Sequence, residues 1–497
     1  MRSGRNGLAV KSSSIPSSES GRITTGDFDY DFVVIGGGSG GYAAARTAHE
    51  AGLRTAVIDG AETLGGLCIL RGCMPSKTLI ESANRARSIR RAGEFGLRAE
   101  NFSFSGEEII ARKRALIGEF ASYRQEQLTD NRFDLIRGIA SFQDPHTLRV
   151  QLRETGEERR VTFSAACIAT GSVIQTIDLP GLEEVGYWTS DDVLDADSIP
   201  ESVIVLGGGA IALEMACYFE GLGREVTVIQ RSDQVLSGSD RDVAKALEEA
   251  IESRPNLRLF TGTKLQRVEK GPNGQATVHF EHQGEATEVS GERILLALGR
   301  RPATERLNLE AAGVELAAGG KRVAVDAHMA TSQPHIFAAG DICSQIEVVH
   351  IAIQQGEIAA YEVARRMGKI DGEPKIMDYR VKLLGVFTDP QMATVGLGED
   401  EARSLGRNVV AASYPFDDHG KSMVMGETHG FIKLIADAET KELIGGAAVG
   451  PEAVEIIHEI VVAIHFRVTA AQFLEVPHYH PTLSEIWTYP AEELLEL

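Results

Sequence analysis

Two glycine-rich turns, each set between an apolar run and a helical stretch, constrain this 497-residue chain more than any other feature. The first follows Tyr30-Asp31-Phe32-Val33-Val34-Ile35, a β-branched, apolar run short enough for a buried strand. It enters Gly36-Gly37-Gly38-Ser39-Gly40-Gly41, then a helical stretch from Tyr42 to Ala51, then a strand Thr55-Ala56-Val57-Ile58 that ends at Asp59. Strand, glycine turn, helix, strand and acid is the βαβ unit that binds dinucleotides. The plan recurs. Val203-Ile204-Val205-Leu206 runs into Gly207-Gly208-Gly209-Ala210-Ile211-Ala212, a helix follows to about Leu222, and Val226-Thr227-Val228-Ile229 ends at Gln230. Gly36 to Gly207 and Asp59 to Gln230 share one offset, 171 residues. A lone motif of this kind is weak; two with matched internal spacing, each in its strand–turn–helix setting, are not.

A helix N-terminus presents unpaired N–H groups and about half a positive charge, which suits a pyrophosphate if no side chain blocks it. Gly36 permits the tight turn, Gly38 the approach of the phosphates, and Gly41 the packing of helix on strand. Asp59 is placed to accept hydrogen bonds from a ribose diol. In the second unit Gln230 stands where an acid would repel a 2′-phosphate, and Arg231 follows it. That combination favours NADP(H) over NAD(H).

The rest of the chain fits around these units. Ala166-Cys167-Ile168-Ala169-Thr170-Gly171-Ser172 and Ile336-Phe337-Ala338-Ala339-Gly340-Asp341 read as buried strands that break at glycine. Ile294-Leu295-Leu296-Ala297-Leu298-Gly299-Arg300-Arg301-Pro302 closes the second unit. From about Tyr379 alternating segments such as Phe431-Ile432-Lys433-Leu434-Ile435 predict antiparallel strands, and Val454 to Phe466 an amphipathic helix. An α+β region therefore follows two α/β ones. The net charge of −21 makes nucleic acid and anionic membranes poor partners, and no run of 18 apolar residues offers a membrane span. Residues 1–27 are basic, rich in Ser and free of acid before Glu19. That is the composition of a transit peptide, but the weak apolar face favours a disordered extension, and the cytoplasm is the default location.

Five cysteines in a chain this long are not a disulfide scaffold. Two of them lie close, in Gly65-Gly66-Leu67-Cys68-Ile69-Leu70-Arg71-Gly72-Cys73-Met74-Pro75-Ser76-Lys77. On a regular helix five residues rise about 7.5 Å and point the two side chains apart. Their Cα atoms would then lie beyond the bridging range of roughly 4.4–6.8 Å. A bridge needs a local distortion, for which Gly65, Gly66 and Gly72 supply freedom. A thiol pair at a helix start beside Lys77 is also set for a lowered thiolate pKa. The other readings of the pair are buried packing cysteines or half of a zinc site, although zinc favours closer spacing and a second pair. Cys167, Cys217 and Cys343 stand singly and read as packing residues. Near the end, Val476-Pro477-His478-Tyr479-His480-Pro481-Thr482-Leu483-Ser484-Glu485 supplies an imidazole suited to acid–base work and a carboxylate that could orient it, the other readings of the histidine pair being a surface feature or two metal ligands.

Taken together and in this order, GGGSGG, GGLCILRGCMPSK, ATGS, GGGAIALE, GRRP, AAGD and HPTLSE resemble the FAD-dependent pyridine nucleotide–disulfide oxidoreductases, from about residue 30 to the end. CxxxxC followed by PSK is most similar to the dihydrolipoyl dehydrogenases and the related mercuric reductases. The resemblance implies an α/β protein with two Rossmann-like dinucleotide-binding domains and a C-terminal α+β dimerisation domain. The divisions expected are a first FAD-binding part over 28–192, an NAD(P)-binding domain over 193–312, a second FAD-binding or central part over 313–378, and a dimerisation domain over 379–497. It implies that Gly36, Gly38, Gly41 and Asp59 hold the ADP half of FAD, with Thr170, Gly171, Ser172 and Asp341 nearer the flavin. Lys77 would lie by the flavin, paired with Glu214. Cys73 would be the thiol beside the flavin, and Cys68 the thiol that exchanges with substrate. His480, oriented by Glu485, would be the acid–base and would come from the partner of a homodimer. Gly207, Gly209, Gln230, Arg231 and Gly299 would line the nicotinamide nucleotide site.

The activity so implied is electron transfer between NAD(P)H, FAD, a Cys68–Cys73 disulfide and a small disulfide or dithiol. Alternatives are another acceptor, such as a quinone or a metal ion, or a nucleotide-binding redox sensor without catalysis. Three departures from the family pattern stand out. Gln230 replaces the Glu usual in dihydrolipoyl dehydrogenases, and Ala212 replaces a third glycine. Residues 1–27 and the tail Tyr489 to Leu497 contain no cysteine, unlike the metal-handling segments usual in mercuric reductases, so mercury is not the expected substrate.

Overall fold

The computed structural model describes residues 22–23, 26–271 and 273–497. The predicted first unit forms as β1 (Tyr30–Ile35), α1 (Ser39–Glu50) and β2 (Thr55–Asp59). Both strands are buried along nearly their whole length, as a parallel sheet covered on two faces requires. β1 lies between β2 and the strand Glu158–Ile168, and Ile336–Ala338 and Asp134–Asp144 flank them, all parallel to their neighbours in this layer. The long strands Asp134–Asp144 and Glu158–Ile168 run on into an antiparallel meander through Thr147–Leu152. Helix α1 packs against Val349–Arg366, a helix contributed from far along the chain.

The second unit repeats the design in a five-stranded parallel sheet. Ser202–Leu206 is central, between Glu225–Ile229 and Arg293–Leu296, with Leu257–Phe260 and Trp188–Thr189 outside. The helix Ala210–Gly221 leaves the glycine turn, and ten of its twelve residues are buried. A three-stranded antiparallel sheet over Lys264–Gly291 is inserted before the last central strand.

The change of texture expected near Tyr379 is a further five-stranded sheet, antiparallel throughout. Its order is Leu383–Val386, Gln391–Gly396, Leu443–Gly450, Phe431–Asp437, Val409–Pro415. The helix Ala453–His465 covers one face, and the indole of the fully buried Trp487 donates to Ile456 O at 3.1 Å. A buried ionic square ties the three regions together. Arg87 pairs with Glu220 at 3.1 Å and Asp389 at 2.9 Å, and Arg254 pairs with the same two acids at 2.6 and 2.8 Å. Each charge has two opposite neighbours, so removing one leaves two like charges sharing a single partner, a net buried charge that costs on the order of 3–5 kcal/mol.

Of the N-terminal segment, Ile23 is buried in the first unit's core, and its N–H donates to Arg366 O at 3.3 Å. Of the extension expected over residues 1–27, residues 1–21, 24 and 25 lie outside the described residues. No helix among the described residues is long and apolar enough to cross a membrane.

Candidate active site

Both glycine turns have the geometry their residues allow. Gly36 and Gly207 sit at φ +106° and +123°, where a side chain is strained. A Cβ at either would overlap the carbonyl oxygen of the next strand's end, Ala169 or Ala297. The helices that follow have no side-chain cap and no acid in their first turns. Their leading N–H groups are therefore unclaimed, and beside Gly38 and Gly209 the backbone is open. These cradles fit the pyrophosphates of two dinucleotides. Asp59 ends β2 as predicted, accepting from Gly37 N–H and Ala61 N–H, each at 2.8 Å.

The cysteine segment breaks where a bridgeable pair needs it to break. A short helix α2 (Gly66–Leu70) carries Cys68 and ends at Arg71; Gly72 then departs from helical geometry at φ −130°, ψ −114°. Cys73 opens α3 (Cys73–Arg90), and Pro75 is accommodated in its first turn. Both cysteines are free, and the Cys68 thiol is hydrogen-bonded to the Cys73 sulfur. That bond brings Cys73 down to about 7, against the opposing effect of burial and with help from the Lys77 charge. The same bond, with burial, pushes Cys68 up. Of the two, Cys73, beside the Lys77 charge, is the thiol favoured as thiolate. Cys167 and Cys217 are buried, which raises both thiols, Cys167 to about 12, although the Arg254 and Arg87 charges oppose the rise at Cys217, and both are packing residues as read from the sequence.

Lys77 lies one turn beyond Cys73. Its ammonium bonds both carboxylate oxygens of Glu214, at 2.7 and 3.0 Å, and sits over the Phe387 ring, 4.6 Å from its centre. Glu214 also accepts from Phe387 N–H at 3.0 Å. One ion pair thus joins the cysteine helix, the second glycine unit's helix and the antiparallel region. Four residues beyond the strand Glu158–Ile168, Ser172 donates to Asp341 at 2.6 Å and accepts from Arg300 Nε at 2.9 Å.

A single cavity of about 2010 Å³ runs from one glycine turn to the other. It is lined by Gly36, Gly38, Asp59, Cys68, Cys73, Lys77, Thr170, Gly171, Ser172, Asp341, Gly207, Gly209, Glu214, Gln230, Arg231 and Gly299. Gly41 is beneath it, packed where a Cβ would overlap Gly36 O. His480 and Glu485 stand outside. His480 is exposed, and its Nδ1 lies 2.9 and 3.1 Å from the two oxygens of Glu485. Several lining residues were not singled out from the sequence. Arg300 lies inside the quoted GRRP run, whereas Phe387, His350 and His458 carry no local signal because only the packing of distant elements brings them to the cavity.

Two dinucleotide cradles joined by one cavity, with a polarised dithiol between them, define a pyridine-nucleotide flavoprotein that works on sulfur. Residues 30–356 match the pyridine nucleotide-disulphide oxidoreductase family, and residues 384–491 match that family's dimerisation domain. The chain is 33% identical over 473 residues to a dihydrolipoyl dehydrogenase of Bacillus subtilis (strain 168), covering 95% of this chain and 98% of the relative. It is 35% identical over 470 residues to that of Thermus scotoductus, covering 94% and 97%. A mercuric reductase of Staphylococcus aureus is 34% identical over 458 residues, covering 89% and 78%. The flavoprotein disulfide reductase RclA of Escherichia coli, solved as a Cu(II) complex, superposes with a TM-score of 0.81 at 25% identity, covering 93% of this chain and 99% of that one. The chain belongs to the pyridine nucleotide-disulphide oxidoreductase family and is an FAD-dependent disulfide oxidoreductase.

Proposed function

We propose that the protein is a homodimeric NADP(H)-preferring enzyme of dihydrolipoyl dehydrogenase type, exchanging electrons between the coenzyme and a small disulfide or dithiol. The observation that carries this reading is the polarised Cys68–Cys73 pair, one turn from Lys77–Glu214, in the cavity that joins the two cradles. Gly36, Gly38, Gly41 and Asp59 would hold the ADP half of FAD, with Thr170, Gly171, Ser172 and Asp341 toward its flavin. Gly207, Gly209, Gly299, Gln230 and Arg231 would hold NADP(H), with Arg231 pairing its 2′-phosphate. When bound, FAD supplies two-electron exchange between the nicotinamide and the cysteine pair.

The chain's own residues do the sulfur chemistry. With Cys73 as thiolate, the remaining proton sits on Cys68, the thiol that must attack substrate. A base is therefore needed at Cys68, and His480 held by Glu485 is that base. The Cys68 thiolate attacks one sulfur of the substrate disulfide, whose S–S bond breaks. The leaving thiolate takes the proton that His480 removed from Cys68. The Cys73 thiolate then attacks the Cys68 sulfur, releasing the second substrate sulfur as a thiolate and closing Cys68–Cys73. The substrate disulfide gains two electrons and the cysteine pair loses two. His480 is exposed and outside its own chain's cavity, so it acts on the cavity of a second copy. Met423, Val424, Val462, Phe466 and Tyr479 are large, exposed apolar residues of the same C-terminal region, which a second copy would cover.

Subunit mixing tests the arrangement. Cys73→Ser and His480→Gln homodimers should each fail to reduce lipoamide with NADPH. Random re-association should restore about a quarter of wild-type sites, because each heterodimer pairs one intact dithiol with one intact imidazole. No recovery, with heterodimers verified by mass, would overturn the reading. Glutathione disulfide and quinones in parallel assays identify the preferred acceptor.

A further inference from the structure

The acid–base pair has a third member buried behind it. His419 opens the short helix Gly420–Met425 and is 1% exposed, an unusual burial for a histidine. Its Nδ1 lies 2.8 Å from Ser422 Oγ, itself fully buried. Its Nε2 has no hydrogen-bond partner and lies 3.6 Å from Glu485 Oε1, the carboxylate that holds His480. The tautomer follows from the surroundings. A bare Nε2 lone pair facing a carboxylate oxygen would be repelled, whereas an Nε2–H is attracted. The proton therefore belongs on Nε2, and Nδ1 accepts from the Ser422 hydroxyl. Burial lowers the His419 pKa, consistent with a neutral ring.

Resting on the reading of His480 as acid–base, we propose that His419 is a positioning residue, which directs Nε2–H at Glu485 Oε1 and so fixes the orientation and the charge distribution of the carboxylate that holds His480. Glu485 is largely buried, and few donors reach it: His480 Nδ1 on both oxygens, a long contact from Thr482 N–H at 3.4 Å, and His419. A carboxylate with fewer donors leans harder on those that remain. Loss of the His419 N–H therefore raises the proton affinity of His480, and the base is protonated to a higher pH. The other groups around His419 are the Tyr489 ring, edge-on at 6.4 Å, and Tyr414, which stacks on Tyr489 and donates to Asp418 at 2.9 Å. His478 belongs to a separate pair with Glu459 at 2.7 Å.

The test uses holoenzyme carrying His419→Leu, which has no donor, His419→Gln, which keeps an N–H near the Nε2 position, and Ser422→Ala, which frees the tautomer. Two readouts follow His480: the acid limb of kcat/KM for dithiol oxidation, and the pH dependence of His480 acylation by diethyl pyrocarbonate, measured by peptide mass. His419→Leu should move both upward by about half a pH unit, with KM little changed; Ser422→Ala should move them less, and His419→Gln should restore the wild-type position. A fall in thermal stability with both readouts unmoved, or moved downward, would overturn the proposal. Should the His419 variants not fold, an unmoved Ser422→Ala profile would overturn it alone. His480→Gln, run alongside, separates the two ideas: if it retains disulfide turnover, the acid–base reading falls, independently of His419.

Discussion

The two glycine-turn units share a backbone plan and differ at the positions that choose a ligand. In the first, Asp59 reaches back across the turn to Gly37 N–H and forward to Ala61 N–H. In the second, the carboxamide of Gln230 is turned into its own loop, accepting from Arg231 N–H at 3.1 Å and donating to Gln234 O at 3.3 Å. The first helix begins so close to its strand that Gly41 has no room for a Cβ, whereas Ala212 at the matching place in the second is fully buried without a clash. The shared part, an uncapped helix aimed at a glycine turn, recognises any pyrophosphate. The unshared residues decide which nucleotide enters and how tightly it is gripped.

The largest effect should come from erasing the difference in packing. Gly41→Ala pushes a methyl group into Gly36 O and Val34, against backbone that cannot yield. Overpacking of this kind costs about 1–3 kcal/mol or more, and here it also widens the turn that grips the phosphates. Purified Gly41→Ala should lose most of its flavin absorbance and unfold at lower temperature. The reciprocal Ala212→Gly should cost no more than about 1 kcal/mol, the usual helix penalty of glycine. Equal effects at the two positions would show that the units do not differ in tightness.

Exchanging the ligand-choosing residues should have the next largest effect. A charge-assisted bond between an arginine and a phosphate contributes about 1.5–3 kcal/mol, so Arg231→Ala should lower kcat/KM for NADPH by roughly ten- to a hundredfold. The value for NADH should stay within about twofold, since that coenzyme has no 2′-phosphate to lose. Gln230→Glu should add repulsion and move the preference further toward NADH. A wild type that prefers NADH, or an unchanged ratio in Arg231→Ala, would break this side of the comparison.

The parts of this molecule that local chemistry dictates were legible in the sequence. The glycine turns, Asp59 and the break between Cys68 and Cys73 each follow from steric or helical constraints within a few residues. The pairing of Lys77 with Glu214 was readable only through family resemblance, because 137 residues separate them. Phe387, which packs on that pair, and His419, which backs Glu485, gave no signal. Nothing in a short window shows that Phe387 lies over an ammonium or that a histidine after Asp417-Asp418 is buried. Such residues acquire their roles from how sheets from distant segments meet, and pattern reading within one segment does not reach that far.

The smallest and most discriminating effect lies where the two units touch. Lys77 follows the cysteines on the first unit's side and Glu214 rises from the second unit's helix, so the two charges act on Cys73 with opposite sign. The thiolate, brought to about 7 chiefly by the Cys68 hydrogen bond, is further favoured by Lys77 and disfavoured by Glu214. Alkylation of Cys73 by iodoacetamide in the reduced protein should accordingly rise from below pH 7 and level off above it, since only the thiolate reacts. Lys77→Met should move that midpoint upward by about one unit, which at pH 7 is roughly a fivefold slower reaction. Glu214→Gln should move it downward by a smaller amount, because the carboxylate acts on the sulfur less than the ammonium does. Shifts of the same sign in both variants would mean that the ion pair acts on Cys73 by holding the helices in register. The two units would then be coupled through packing, and the charge relation between them would not be what tunes the sulfur.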